Sequence, residues 1–287
     1  MKAISWSLPY LSLLKLRIVA LLVIVAIVAA LIAGAGDFSP ARLALLALVG
    51  GMACAGASVL NNYLDRDIDA VMPRTRNRPI PRNKVSATAA LVLGLVLLVV
   101  SLVVAFQLGS LVVLSLGSGA LIYVVLYTMW LKRRTSLNII IGGLSGSCVV
   151  LAGWFAITHE LSPAPFLIAL IVFLWTPGHF WSFALVHQES YRKASIPMLP
   201  NVLGARKTAG YIVLHSALLM ITVPLLYFLS PLGLTYLTGA LFLSTLFLAS
   251  GLWLWRQPGK ERAWRNYKLS GLYLLGLFVF MLADVLS

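Results

Sequence analysis

Residues 43–64, LALLALVGGMACAGASVLNNYL, hold no charge at any position and run straight into 65–69, DRDID. A helix needs about 20 apolar residues to cross a hydrocarbon layer about 30 Å thick. This stretch meets that need and ends abruptly in acid. Reading outward for similar runs yields nine, at roughly 13–33, 42–64, 87–106, 110–131, 137–157, 163–186, 209–229, 232–255 and 267–286. Hydrophobic residues make up 61% of the 287 positions and charged residues only 10%, against about 25% in soluble domains. A soluble globular fold is excluded. The expectation is an all-α polytopic membrane protein, with nine transmembrane helices bundled around a central cavity in one domain over 1–287. Lys15 and Arg17 stand inside the start of the first run and no cleavage pattern follows it, so it reads as a retained helix. Cys54 and Cys148 lie inside apolar runs without ligand spacing and read as packing residues.

The formal charge of +14 would suggest nucleic acid in a soluble protein. Here it follows from topology. Against the nine spans, every Lys and Arg except Arg42 falls on one face: Lys2, Lys15 and Arg17, then groups at 66–84, 132–134, 192–207 and 256–268. The positive-inside rule places that face and the N-terminus in the cytoplasm, with the C-terminus outside. The expected location is the cell inner membrane, with the lipid bilayer as partner and no nucleic acid. Two inner links are long, about 65–86 and 187–208, where connections usually run about 4–6 residues. Both are expected to be ordered and functional. Each ends in a small basic stretch, Asn83-Lys84 or Arg206-Lys207, a faint sign of two related halves.

Of only eight carboxylates, Asp65, Asp67 and Asp69 share five residues. On a continuing helix Asn61, Asp65 and Asp69 form one stripe, while Asp67 points largely away. The C-terminal end of a helix is already electronegative, so the cluster needs cations. Oxygen ligands without His or Cys suit Mg²⁺, which is commonly held by one or two carboxylates plus substrate phosphates. The loop that follows, Met72-Pro73-Arg74-Thr75-Arg76-Asn77-Arg78-Pro79-Ile80-Pro81, carries the arginines that fork onto phosphate oxygens. Lys132, from another helix, can reach the same place. A solvated helix end, or a basic loop attracting anionic lipid, would explain either motif alone. In succession they read as a metal–diphosphate site.

Asn61-x-x-x-Asp65-x-x-x-Asp69 followed by Arg74-Thr75-x-x-Arg78-Pro79 resembles the first motif of the UbiA superfamily of intramembrane prenyltransferases, and the resemblance covers essentially the whole chain. Thr176-Pro177-Gly178-His179-Phe180-Trp181 and Tyr191-Arg192-Lys193-Ala194-Ser195-Ile196-Pro197-Met198-Leu199-Pro200 are similar to the branch that farnesylates haem. The quinone branch carries a second Asp-rich motif here, where this chain has only Glu189. In Lys15-Leu16-Arg17 the central position departs from the Pro often found there.

The resemblance implies Mg²⁺-dependent transfer of farnesyl from farnesyl diphosphate to a vinyl group of haem B, with addition of water, giving haem O and diphosphate. It implies Asn61, Asp65 and Asp69 for Mg²⁺, and Arg74, Arg78 and Lys132 for diphosphate oxygens. Asn61, Asp65, Asp69, Arg78 and Lys132 then form the catalytic group. His179 is expected to contact haem, as axial ligand or propionate donor, with His187, Glu189 and Lys193 lining the second half of the site. Tyr123 and Tyr127 would face the site and steady a cation. A haem A synthase would take the product. The alternatives are prenylation of a phenolic or quinone precursor, and a transporter or haem-handling protein without chemistry. A transporter would place charge at mid-membrane with gates on both sides, whereas this polar cluster is confined to one face. Trp253, Trp255 and Trp264 are assigned to an interfacial belt.

Overall fold

The apolar runs fold as helices because a backbone group left unpaired in lipid is costly, and a helix pairs its own. The computed structural model describes residues 2–35, 37 and 39–287, with the backbone alone for 2–7, so the Lys2 side chain lies outside the described residues. In chain order the helices are α1 (Lys2–Leu13), α2 (Leu16–Ala33), α3 (Pro40–Leu64), α4 (Arg66–Val71), α5 (Ala87–Ala105) and α6 (Ser110–Leu121). A π-helical stretch, Ile122–Trp130, and a 3₁₀ turn, Leu131–Arg133, extend α6. Then come α7 (Asn138–Phe155), α8 (Pro163–Val186), α9 (Gln188–Lys193), α10 (Leu199–Phe228), α11 (Leu234–Arg256) and α12 (Lys260–Val285). Among the described residues nine helices are long and apolar enough to cross a membrane: α2, α3, α5, extended α6, α7, α8, α10, α11 and α12. The protein is a multi-pass, all-α membrane protein.

Three boundaries differ from the hydropathy reading. Lys15 adopts a left-handed conformation, φ 53°, which parts α1 from α2 and turns its side chain out of the helix line. The seventh span begins ten residues early, because Pro200 suits a helix first turn and Leu199 opens α10, while Gly204 (φ 78°, ψ 168°) bends the helix before the apolar run starts. The ninth begins at Lys260, a polar first turn beyond the apolar run.

Lipid tails are as apolar as leucine, so helices associate through close packing and hydrogen bonds. A Cβ on Gly153 of α7 would stand 2.0 Å from the Ala26 carbonyl oxygen of α2, and one on Gly56 of α3 would stand 2.9 Å from the Gly94 carbonyl oxygen of α5. Side-chain donors join further pairs. Ser101 reaches the Val49 carbonyl at 2.6 Å, Ser147 the Ala169 carbonyl at 2.8 Å, and Trp175 Nε1 the Ser270 carbonyl at 2.7 Å. Arg42, the single cation of the other face, donates to the Ala156 carbonyl at 3.0 Å, at the electronegative end of α7. An internal cavity of about 10 Å³ remains between α2, α3, α6 and α7.

The basic end is closed by the two long links. Ile68 and Met72 from the first join Tyr191, Ile196 and Met198 from the second in one apolar cluster around Trp181. Both links are built alike. A span ends at a bridging residue, Asp65 (φ −88°, ψ 4°) or His187 (φ −107°, ψ 21°), and a six-residue helix follows, α4 or α9. Gly153→Ala, which drives a methyl group into the Ala26 backbone, is expected to cost about 2–3 kcal/mol by overpacking; a thermal unfolding midpoint in detergent equal to wild type would contradict this close crossing.

Candidate active site

The helical hydrogen bonds run through the α3–α4 junction: Asp65 N–H donates to the Asn61 carbonyl at 2.9 Å and Asp69 N–H to the Asp65 carbonyl at 2.7 Å. Asn61, Asp65 and Asp69 therefore keep their i, i+4 spacing, and all three are under 5% exposed. Asn61 Nδ2 donates to Asp65 Oδ2 at 2.8 Å, so these two side chains are joined directly. Asp67 lies outside it. Its carboxylate is exposed and forked onto Arg133 at 2.6 and 2.7 Å, and that bond holds it down at about 2.

Cations from three separate segments close on the stripe. Lys15 Nζ donates to Asn61 Oδ1 at 2.7 Å, Lys132 Nζ to Asp65 Oδ2 at 2.5 Å, and Arg78 to Asp69 Oδ2 at 2.6 Å. Three cations meet two carboxylates. The imbalance registers on Lys15, whose ammonium is pushed down to about 7 by burial and by repulsion from Arg78 and Lys132. A buried cluster with surplus positive charge suits an anion. Asp65 Oδ1 is buried and has no hydrogen-bond partner.

The π-helical stretch sets the opposite wall. Tyr123 and Tyr127 stack with centroids 5.8 Å apart, and Lys132 Nζ lies 5.9 Å from the Tyr127 centroid. Tyr127 fits only because residue 142 is glycine, where a Cβ would stand 2.7 Å from the ring. Arg74 lies over Phe183 of α8 at 5.4 Å and beside the Tyr191 hydroxyl, whose titration burial drives upward. His187 is half-buried and held below its ordinary value, by burial first and then by Arg74 and Lys260.

From there an aromatic ladder climbs α8 and α12. His187 packs on Phe183 at 4.3 Å, Phe183 on Tyr267 at 5.2 Å, Tyr267 on His179 at 4.4 Å, and His179 on Trp175 at 4.5 Å. The Ser270 hydroxyl donates to the Tyr267 carbonyl at 2.7 Å, so at 2.7 Å from His179 Nδ1 it accepts. The imidazole proton is thereby placed on Nδ1, and Nε2 keeps its lone pair. Trp264 stacks on Tyr267 at 5.1 Å, and Trp253 and Trp255 lie beneath Arg262 and Arg206; all three indoles are exposed.

Asn61, Asp65, Asp69, Arg78, Lys132 and Tyr127 are thus brought together, with Arg74 at their edge and His179 and His187 on the ladder. Glu189 and Lys193 are not. Lys193 is exposed, and Glu189, 59% exposed, spends its charge on Arg192 at 2.7 Å, so the expectation that they line the site is corrected. One turn of α9 sets the acidic side chain outward and Tyr191 inward. Sequence reasoning missed Lys15, Thr128 and Tyr191 as site residues. Tyr191 carried a signal, its i+4 spacing from His187 mirroring Asp65 and Asp69.

Residues 22–278 match the UbiA prenyltransferase family. The chain belongs to that family. It is an enzyme, a transferase of prenyl groups. It is 40% identical over 279 residues to a protein of Symbiobacterium thermophilum named protoheme IX farnesyltransferase, covering 96% of this chain and 93% of the other. A protein of the same name from Desulforudis audaxviator is 44% identical over 243 residues, 84% of this chain and 76% of the other. A UbiA homologue from Archaeoglobus fulgidus, solved with GPP and Mg²⁺ bound, shares the fold with a TM-score of 0.70, at 19% identity over 95% of this chain and 99% of that one.

Asp67→Asn is expected to leave prenyl transfer within about twofold of wild type, while Asp65→Asn and Asp69→Asn lower it by about 10²-fold or more, the scale of losing one preorganised electrostatic contact. Steady-state rates of the three variants check this, and equal losses in all three would remove the distinction between the buried stripe and the exposed carboxylate.

Proposed function

We propose that this protein transfers a farnesyl group from farnesyl diphosphate to a vinyl group of haem B, with Mg²⁺, adding water to give haem O and diphosphate. One observation carries the reading: a buried Asn61–Asp65–Asp69 stripe faced by more cations than it neutralises, at the basic end of a membrane bundle. The shared name of the relatives supports the donor and acceptor. In this reading the basic face lies in the cytoplasm, and the whole chain forms one domain.

The donor set suits the ion. Asp65 Oδ1 is buried without a partner, and among the described residues no three His, Cys, Asp or Glu side chains converge. A divalent ion would rest on Asp65, Asp69 and the Asn61 carbonyl, with substrate oxygens completing the set, as Mg²⁺ commonly does. When bound, Mg²⁺ supplies Lewis-acid charge to the departing diphosphate. Arg78, Lys132, Arg74 and Lys15 bind diphosphate oxygens and stabilise the electron pair that leaves with them as the C1–O bond breaks. Tyr123 and Tyr127 offer ring faces to the allylic cation and keep water from it. The terminal vinyl carbon bonds to C1, water adds to the neighbouring carbon, and a proton is released. The ladder on α8 and α12 would form the acceptor's face, with His179 available to the iron or to a propionate. His187 stands at the polar rim with the propionates.

Purified protein incubated with haem B, farnesyl diphosphate and Mg²⁺ is expected to yield a haem heavier by one farnesyl group and one hydroxyl group. EDTA should abolish this and Mg²⁺ restore it. An unmodified haem alongside a prenylated phenolic acid would overturn the assignment. For the acceptor face, His179→Ala is expected to lose the Soret band of bound haem, and an unchanged spectrum would remove His179 from it.

A further inference from the structure

The Asn61 carboxamide is the only uncharged member of the stripe, and its two ends are chemically distinct. An amide that turned over would offer N–H groups where an oxygen is wanted. Three partners decide its orientation. Lys15 can only donate, and it meets Oδ1 at 2.7 Å. An ionised Asp65 can only accept, and it takes one N–H at 2.8 Å. The second N–H goes to Thr128 Oγ1 at 3.1 Å. Thr128 is 1% exposed, so the contact is shielded from bulk water.

Thr128 reaches that position through an unusual backbone. Thr176, Thr208, Thr222 and Thr245 sit in α-helix and each returns its hydroxyl to the carbonyl four residues back. Thr128 returns its own to Tyr123, five residues back, at 2.8 Å. That is the register of the π-helical stretch Ile122–Trp130, a geometry that recurs at functional sites. With its proton committed to a carbonyl, the Thr128 oxygen is left to accept, and Asn61 supplies the donor.

We infer that Thr128 is a positioning residue: its hydroxyl holds the second N–H of Asn61 so that the Asn61 carbonyl oxygen is kept turned to the cation side of the site. Lys15 occupies that side here. This rests on the metal–diphosphate reading given above, in which the same oxygen would serve a divalent ion. Removing a group that orients a ligand typically lowers metal affinity about 10–100-fold.

Mn²⁺ is the probe, titrated into the purified full-length protein without substrate, with bound ion read by electron paramagnetic resonance. Thr128→Val keeps the shape and deletes the hydroxyl, and should weaken Mn²⁺ about tenfold or more, whereas Thr128→Ser should stay within about twofold of wild type. In an Asn61→Ala background Thr128→Val should add nothing, because its effect passes through Asn61. Wild-type affinity in Thr128→Val, or an equal further loss in the Asn61→Ala background, would overturn the inference. If Asn61→Ala and Asp65→Asn themselves bind Mn²⁺ as wild type does, the metal reading fails instead. Should Thr128→Val not fold, Thr128→Ala carries the same comparison.

Discussion

Two carboxylates held out of water at the edge of a bilayer are tenable only beside cations, and that constraint organises this molecule. Asp65 and Asp69 are almost fully buried. Desolvating an ion costs several kcal/mol unless partners repay it. The partners come from places far apart in sequence: Lys15 from the break between α1 and α2, Arg78 from the first long link, and Lys132 from the turn that ends extended α6. Three segments must therefore arrive together. The Asp67–Arg133 fork, with Arg133 also bonded to the Leu64 carbonyl at 3.0 Å, staples α4 to the same turn from outside. The charged groups at the basic end thus fasten the helices as well as the site, in a solvent where apolar burial does not.

The surplus of cations separates a site from a mere staple. A structural network would close its charge balance. This one leaves Lys15 facing a neutral carboxamide, with its ammonium disfavoured by Arg78 and Lys132, and it leaves one oxygen of Asp65 bare. The surplus charge suits an anion, and the bare carboxylate oxygen is free to accept a cation. A diphosphate carried with a divalent ion would satisfy both at once, with the electrostatic complement fixed before the charge arrives.

Much of this was legible before any coordinates, and the rest was not for definable reasons. The spans were readable because hydrocarbon thickness sets their length. The stripe was readable because i, i+4 spacing survives any regular helix, and it continued through Asp65 despite the change from α3 to α4. Lys15 was read as a topology marker and as part of a family motif but given no place in the site, since nothing in Lys15-Leu16-Arg17 announces a left-handed residue. Thr128 was invisible for a related reason: nothing in the sequence announces the π-helical register that sends its hydroxyl five residues back and leaves its oxygen to Asn61. Glu189 was misjudged because the last acidic residue near a motif attracts a role. Its neighbour Arg192 three residues on satisfies it at the surface, the ordinary fate of an exposed i, i+3 pair.

The two long links share a construction but diverge in chemistry, and in the proposed reading this divergence lets one bundle end serve two unlike reactants. After α3 the bridging residue and its i+4 neighbour are Asp65 and Asp69; after α8 they are His187 and Tyr191. The first pair gathers cations. The second pair sets an imidazole, held below its ordinary value by burial and then by Arg74 and Lys260, and a phenol at Arg74, and continues upward as the rings of Phe183, Tyr267 and His179. A second carboxylate cluster in that place would put negative charge against the propionates of a haem and add a desolvation cost beside an apolar ring system. With His and Tyr there instead, Arg74 is the hinge between an ionic half and an aromatic half, beside Tyr191 and over the Phe183 ring. In the reading proposed for this protein, the departing diphosphate belongs to the former and the flat acceptor to the latter, so reacting carbons would meet where the two halves adjoin.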